Sequence, residues 1–240
     1  IRTLAVSLEQ LGQVLREQGK PECILPYEEG AELCQRIGDK PEEAVIAFNL
    51  GHAYMLLPTL RDLDEAERWV RRSLDLHAAG DRLGRGKCVG QLGGVAYERF
   101  KGAREAGAPE ETLLAHLNEA AQQYHGALDL LPPDAVNDLA VAHNQLGLIY
   151  RDAGDLARSL RHYRESIRYD EQAGNVYGAA QDRYNVALVF MDARRWQDAL
   201  DYARAALRGF QTFGARAAQG IQDTRRLIAH IEQARQEDAA

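Results

Sequence analysis

The sequence predicts an all-α fold in which helices follow one another in pairs. Apolar residues recur with helical spacing, good helix formers are abundant, and segments that alternate apolar and polar residues are nearly absent. A short phrase also returns about every 40 residues, which is typical of a stacked repeat protein. Such proteins usually present a binding surface rather than a reaction centre.

The repeated phrase is built around Leu-Gly. It is clearest at residues 145–150, where an amide residue precedes Leu-Gly and an aromatic residue follows it. Close variants lie at residues 49–54, 91–97 and 185–190, and a shorter form lies at residues 10–12. Glycine inside a helix costs about 1 kcal/mol relative to alanine, so its return at this point predicts close contact between neighbouring helices.

Regular breaks divide the chain into five repeats, each with two helices. Gly suits the left-handed residue just past a helix end, and Asp or Asn accepts hydrogen bonds from free backbone N–H groups at the next start. The predicted repeats are 1–38, 39–80, 81–132, 133–174 and 175–214. The breaks inside them are Gly19-Lys20-Pro21, Pro58, Gly107-Ala108-Pro109, Gly154-Asp155 and Arg194-Arg195. The predicted helix pairs are 1–18 with 22–37, 41–56 with 62–78, 82–104 with 110–131, 134–152 with 156–173, and 176–193 with 196–213.

A final helix at 215–236 has no partner. Its polar end suits the cap of a repeat stack, because a terminal unit must show one face to water. Since the core of such a stack is continuous, we expect residues 1–240 to form a single domain. The chain begins at Ile1 rather than Met, within a helical pattern, so we expect it to be a fragment of a longer protein.

The phrase resembles the tetratricopeptide repeat (TPR). The matching residues are Leu146, Gly147 and Tyr150 in a first helix, and Ala120, Tyr124, Ala127 and Leu128 in a second helix. The family period is about 34 residues. The longer units here resemble the subgroup of kinesin light chains, Leu-Gly-Asn repeat adaptors and the sensor arms of bacterial signal-transduction ATPases. The fifth unit departs from the pattern with Val186-Ala187 in place of Leu-Gly. The resemblance implies a right-handed superhelical solenoid of about five helix pairs plus a capping helix.

The resemblance also implies that first helices line a concave groove and that the residue before each Leu faces it. In this chain those residues are all amides: Gln10, Asn49, Gln91, Gln145 and Asn185. Because an amide both donates and accepts hydrogen bonds, a row of amides can hold the main chain of an extended peptide. Further groove candidates lie about one turn away: His52, Asn144, Arg151 and Asp182. The alternative interpretation is a set of polar helix residues that meet only water.

Composition argues against several other functions. The chain has 29 basic and 36 acidic residues, and this balance disfavours nucleic-acid binding. No apolar run approaches the length of a membrane span, so we expect no membrane partner. Cys23, Cys34 and Cys88 are well separated and no signal peptide precedes them, which predicts a reducing compartment and a cytoplasmic location.

The sequence lacks the motifs that carry chemistry. The seven histidines show no tight metal-ligand spacing, so we expect neither a metal site nor a cofactor. No nucleophile motif is present, and we expect no enzyme activity. We expect a protein-interaction module that binds a peptide or protein segment in its groove, as the sensor or adaptor part of a bacterial signalling protein. The alternative is a scaffold that forms a homo-oligomer or docks a neighbouring domain of the same protein. The sequence leaves the oligomeric state open.

Overall fold

The computed structural model describes residues 1–238 as a succession of helices, and no strand occurs among them. The all-α prediction is confirmed. The helices are α1 (Arg2–Glu17), α2 (Ile24–Ile37), α3 (Lys40–Leu56), α4 (Leu63–Leu76), α5 (Arg82–Glu105), α6 (Glu110–Leu130), α7 (Val136–Asp152), α8 (Leu156–Ala173), α9 (Val176–Asp192), α10 (Trp196–Gln211) and α11 (Ala218–Asp238). Short 3-10 turns at Pro21–Cys23 and Gly214–Ala217 precede α2 and α11. Every predicted helix is present, with ends displaced by a few residues at most.

Side-chain caps fix several of the helix starts. Asp39, Asp81, Asp155 and Asn175 each accept a hydrogen bond from the backbone N–H three residues ahead. A cap of this kind satisfies one of the free donors at a helix start. Gly174 ends α8 with a φ of 69°, a left-handed conformation that glycine adopts without steric cost. Capping Asp and Asn residues and a left-handed glycine therefore set these helix boundaries.

The contacts divide the chain into two compact units, residues 1–132 and residues 133–240. The boundary coincides with the predicted end of the third repeat. In the first unit α1 packs on α2, α3 on α4 and α5 on α6, and α2 and α4 each also pack on the helix that follows. The second unit repeats this arrangement with α7 on α8 and α9 on α10, closed by α11. A single 1–240 domain stays a prediction.

Both units have an apolar core between their helix pairs. In the first unit, Tyr27, Ile46 and Leu50 are fully buried in one cluster. Hydrogen bonds cross the core as well, since the Ser73 hydroxyl donates to the Ala44 carbonyl oxygen at 2.7 Å. Burial of these apolar side chains is the main stabilising contribution to such a stack.

The core of the second unit includes Tyr163, Val186 and Phe190. Leu227 and Ile231 of α11 belong to the same cluster, and Ile231 is fully buried. Helix α11 therefore covers the apolar edge left by α9 and α10, as the sequence predicts for the terminal helix. Its bounds, Ala218–Asp238, differ from the predicted 215–236 because the 3-10 turn takes up its first residues.

Candidate functional site

The five predicted amides all lie on first helices, one on each of α1, α3, α5, α7 and α9. Gln10 is exposed and Asn185 is half-buried. Within residues 1–238 neither of these two side chains forms a hydrogen bond with another residue, so both amides are open to a ligand. The other three donate hydrogen bonds within the protein, and Gln145 does so through a long contact of 3.5 Å from its Nε2 to Oδ1 of Asn144.

Asn49 holds a buried carboxylate of the preceding repeat. Its Nδ2 donates to Oε1 of Glu9 at 2.8 Å. Glu9 is only 9% exposed, and burial raises the pKa of its carboxyl. Repulsion from Glu42 raises this pKa further, whereas Arg16 and the Asn49 hydrogen bond lower it. Asn49 therefore stabilises a buried carboxylate inside the protein, and the sequence pattern does not indicate this role.

Gln91 lies beneath the surface. Its side chain is buried, and its Nε2 donates a long hydrogen bond of 3.4 Å to the Phe48 carbonyl oxygen. Its Oε1 is buried without a hydrogen-bond partner in the described part of the chain. In this arrangement Gln91 joins α5 to α3.

Two further predicted groove residues are paired with neighbours. The Arg16 guanidinium donates to Nδ1 of His52, and burial, helped by this cation, lowers the pKa of His52 to about 4. His52 is therefore a neutral acceptor at physiological pH. Arg151 donates through Nε to Oδ2 of Asp192 at 2.7 Å, and this ion pair raises the pKa of Arg151 despite partial burial. Both residues connect consecutive first helices of their own unit.

The remaining predicted residues meet at one cavity in the second unit, which we call the Asp182 cavity. Its volume is about 420 Å³. Asn144 and Gln145 of α7 and Asp182 of α9 line it, so three residues predicted from the sequence come together here. The full lining is Asn137, Ala140, Val141, Asn144, Gln145, Ser166, Asp170, Asn175, Gly178, Gln181 and Asp182. Because Asn137, Val141 and Gln181 are exposed, the cavity opens to solvent between α7 and α9.

Asp182 is the most buried carboxylate of this cavity, at 1% exposure. Asn144 donates through Nδ2 to its Oδ1, and no residue of the described chain donates to its Oδ2. The Ser166 hydroxyl lies nearby but gives its proton to the Ala140 carbonyl oxygen at 2.8 Å. Burial raises the pKa of Asp182 to about 6, and the negative charge of Asp170 adds to the rise. The nearby Ser166 hydroxyl, the hydrogen bond from Asn144 and the charge of Arg183 lower this pKa.

Asp170 supplies a second carboxylate to the lining of the cavity. It is 5% exposed, and Nδ2 of Asn175 donates to its Oδ1 at 2.9 Å. Burial raises the pKa of this carboxyl, and the Asn175 hydrogen bond lowers it. Its Oδ2 lies against Gly178, where an added Cβ would collide with that oxygen. The absence of a side chain at Gly178 therefore leaves room for the carboxylate.

The sequence prediction misses Asp170, Asn175 and Gly178. A signal for Asp170 is available, because the chain repeats. Asp170 lies seven residues after Tyr163, which packs under the repeat glycine, and the matching positions of other repeats hold Cys34, His77, Leu131 and Phe210. A carboxylate at a position that is mostly apolar in the other repeats breaks the packing pattern of the repeat. Residues that break such a pattern are often found at functional sites.

Comparison with known proteins agrees with this architecture. Residues 137–169, which include much of the cavity wall, match the family model described as tetratricopeptide repeat. The chain has the tetratricopeptide-repeat fold. Residues 137–169 are one such repeat, and the phrase that they carry returns in the remaining helix pairs. The prediction of a TPR protein is thereby confirmed.

Solved TPR structures resemble the whole chain. A thermophilic TPR protein of Thermus thermophilus superposes with a TM-score of 0.64 at 16% identity, over 95% of this chain and 99% of its own. Aspartyl phosphate phosphatase F of Bacillus subtilis gives 0.72 at 11% identity, over 99% of this chain and 59% of its own. The apo form of RapI gives 0.68 at 12% identity, over 94% and 83%. At these identities the likeness concerns the fold. No match was found among curated proteins.

Among residues 1–238, no group of three or more His, Cys, Asp or Glu side chains is arranged to hold a metal ion. No helix in that range combines the length and apolar character needed to cross a membrane. The Asp182 cavity is the place where three of the residues predicted from the sequence meet.

Proposed function

We propose that this chain is a non-catalytic protein-interaction module that binds a peptide or protein segment on the face formed by its first helices. The observation that carries the proposal is the Asp182 cavity, which brings Asn144, Gln145 and Asp182 together at an opening between two first helices. A ligand pocket is usually concave and has a few polar groups that fix orientation. Here these groups are two amides and a carboxylate, which suit the main-chain and polar side-chain groups of a protein segment.

The predicted groove residues outside the Asp182 cavity differ in how accessible they are to a ligand. Gln10 and Asn185 carry open amides and are suited to direct contact with a main chain. Three predicted residues each use one polar group in a hydrogen bond within the protein, and a ligand would contact their other polar atoms. These residues are Asn49, His52 and Arg151. Gln91 would be reached only after a side-chain rearrangement, because it is buried.

The wider role is a sensor or adaptor in a bacterial regulatory protein, working in the cytoplasm. The TPR fold supports the interaction role, because stacked repeats offer an extended surface whose units differ in side chains. Cys23, Cys34 and Cys88 are buried and form no disulfide, which is compatible with a reducing compartment. Neighbouring domains of the same protein are included among the partners.

The test is a pull-down from source cells with the chain and two triple variants. Gln10→Ala, Gln145→Ala and Asn185→Ala together remove first-helix amides whose loss leaves the buried pairs intact. The matched control is Gln122→Ala, Gln172→Ala and Gln211→Ala, which removes amides from second helices α6, α8 and α10. We expect a partner that binds the chain and the control but not the first-helix variant. A partner kept by both variants would exclude the first-helix face.

A scaffold is the second candidate function, and one observation favours it. Leu4, Leu11 and Val14 of α1 are about half exposed and lie toward the same side of the helix, with Leu25 of α2 also exposed. Exposed apolar side chains in a group can serve association with another copy or a neighbouring domain. Light scattering tests this candidate: Leu4→Gln with Leu11→Gln should convert an oligomer to a monomer. A chain that is already monomeric at high concentration would exclude self-association.

The tryptophans do not add to the scaffold candidate. Trp69 is half-buried against the core of the first unit, under the guanidinium of Arg68. Trp196 packs against the core of the second unit, and its Nε1 donates to Oδ2 of Asp238 at 2.9 Å. Both rings are therefore used in packing inside the units.

A further inference from the structure

The Asp182 cavity has acidic groups where the other repeats have mostly apolar ones. Asp182 lies three residues before the amide of the repeated phrase, and the matching residues are Ser7, Ile46, Cys88 and Ala142. Ile46 and Cys88 are fully buried, so this position normally packs in the core. A carboxylate gains nothing from burial and loses its hydration. Packing therefore does not explain Asp182.

The carboxylate of Asp182 lacks one hydrogen-bond donor. An ionised carboxylate only accepts hydrogen bonds, and its Oδ1 is satisfied by Asn144. Oδ2 is buried, and no residue of 1–238 donates to it. A buried acceptor without a donor is costly, so a ligand that donates a hydrogen bond here would remove an existing penalty.

The charge of the cavity selects the class of donor. Asp170 and Asp182 are both in the lining, and none of the described lining residues is Lys, Arg or His. Arg183 lies on the same helix, but its guanidinium is paired with Glu171. Two carboxylates without a basic neighbour in the lining repel an anion and attract a cation, and hydrogen bonds between charged partners are the stronger kind.

We propose that the Asp182 cavity binds the cationic end of a lysine or arginine side chain presented by the protein partner. The cationic group would donate to Oδ2 of Asp182 and to the carboxylate of Asp170. The exposed residues Asn137 and Gln181, which also line the cavity, carry amides. A volume of about 420 Å³ is near the lower end of ligand pockets, which suits one long side chain. The inference rests on the proposed peptide-binding function and adds the chemistry of one anchor residue.

One competing arrangement needs no ligand. A protonated Asp182 could donate from Oδ2 to Oγ of Ser166, whose own proton is given to the Ala140 carbonyl oxygen. In that case the carboxyl is a neutral core group and the cavity has no preference for cations. The two arrangements predict different responses to small cations, and the first experiment distinguishes them.

The first experiment measures binding of side-chain mimics to the full chain by NMR. The probes are n-butylguanidinium and n-butylammonium, with butanol as the neutral control and butyrate as the anionic control. The reporters are the side-chain amides of Asn144 and Asn175 and the backbone N–H of Gly178. We expect saturable shifts for the two cations at pH 8, with a Kd of about 1–10 mM, and none for the controls. Absence of saturable shifts, or equal shifts with butanol, would overturn the proposal.

Variants locate the binding. Asp182→Asn keeps the shape and the acceptor for Asn144 but removes the charge, and Asp170→Asn does the same for the second carboxylate. Each should weaken cation binding by about tenfold or more. Asp75→Asn is the matched control, because Asp75 lies on α4 in the first unit, and it should leave affinity unchanged. Unchanged affinity in Asp182→Asn would contradict the proposal, and circular dichroism establishes that each variant is folded.

The second experiment identifies the source of the cation. Two pools of random acetylated heptapeptides, one with Arg or Lys fixed at the centre and one with Gln, are passed over immobilised chain and over Asp182→Asn. We expect retention of the Arg/Lys pool by the wild-type chain alone. If free n-butylguanidinium binds but the Arg/Lys pool is retained no better than the Gln pool, the cavity serves a small molecule and the side-chain proposal fails. If both pools are retained equally by both proteins, peptide binding stands and the cationic anchor is wrong.

Discussion

Gly147 on α7 faces the ring of Tyr163 on α8 so closely that a methyl group there would lie 2.7 Å from two ring carbons. Tyr163 is fully buried, so its ring has little room to move. Gly12 faces Tyr27 in the same way in the first repeat, and Gly93 faces Tyr124 in the third. The repeated glycine is thus the counterpart of a bulky residue on the next helix, and its helix cost is offset by that packing.

The first prediction concerns this contact. Gly147→Ala should destabilise the chain by about 1–3 kcal/mol, because the added methyl overpacks a buried site. Gly102→Ala is the matched control, since Gly102 is helical and, apart from its chain neighbours and the backbone of its own helix, a methyl group added there would meet no heavy atom of the described chain within 4 Å. It should stabilise by up to about 1 kcal/mol through helix propensity. Urea unfolding measures both, and equal effects of the two variants would contradict the packing argument.

The second prediction separates two amides that look alike in the sequence. Asn49→Ala removes the donor to the buried Glu9 carboxylate and should cost about 1–3 kcal/mol at pH 7. Asn185→Ala removes an amide that makes no hydrogen bond to residues 1–238 and should change stability by less than about 0.5 kcal/mol. Thermal and urea unfolding of the two variants provide the comparison. Similar losses in both would show that Asn49 is not a structural partner of Glu9.

The third prediction is a pH dependence from Asp182. Its folded pKa of about 6 lies above the unfolded value of about 3.9, so the folded state binds the proton more tightly. The stability due to this proton is complete below pH 4 and is lost as pH rises through 6, by up to about 3 kcal/mol. Asp170 and Arg183 face the group and shift it in opposite directions.

The check is the difference in unfolding free energy between wild type and Asp182→Asn from pH 4 to pH 8. The variant should be the more stable chain at pH 8, and its advantage should shrink toward pH 4. Glu9 also has a raised pKa, but it lies in the other unit and is present in both chains, so its contribution cancels in the difference. Asp170 is coupled to Asp182, so the measured difference includes the change that the substitution causes in the titration of Asp170. A difference that stays constant with pH would mean that Asp182 does not titrate in this range.

The fourth prediction concerns His52. Burial and the Arg16 cation lower its pKa to about 4, below the usual 6.5. The unfolded chain therefore takes up a proton first, and the stability contribution of neutral His52 is lost as pH falls from about 6.5 toward 4. The imidazole C–H resonance should titrate near pH 4 in the wild type and at higher pH in Arg16→Gln. A His52 midpoint near the usual 6.5 would refute the prediction.

The helix starts and breaks of this chain are largely predictable from the sequence. The sequence predicts helix starts at Asp39, Asp81, Asp155 and Asn175, and each caps a helix as expected. The helix predicted to begin at Asp134 begins at Val136 instead, and no side chain caps it. A cap depends on a backbone N–H three residues away, so it can be predicted from a short window. The sequence also predicts a break at Arg194, which adopts a φ of 55°, uncommon for a residue with a side chain.

The candidate site is only partly predictable. The repeat pattern predicts Asn144, Gln145 and Asp182 one by one, and the structure brings them to one cavity. It does not predict the partners of the amides. Asn49 meets Glu9, which is 40 residues away in the chain, and Asn144 meets Asp182, which is 38 away. A repeat pattern gives the face on which a residue lies, and it does not give which polar groups meet across neighbouring repeats.

The sequence by itself determined the helices, their pairing into repeats and the glycine positions at which neighbouring helices come close. These features depend on hydrogen bonds within four residues, on caps and on a hydrophobic period, all of which are local. The tertiary structure alone decided that Asp182 is buried with an unpartnered oxygen beside Asp170, while Gln10 stays exposed. Burial and the interaction between charges depend on segments that are distant in the chain and pack together. Polar side chains at equivalent repeat positions can therefore be exposed in one repeat and buried in another.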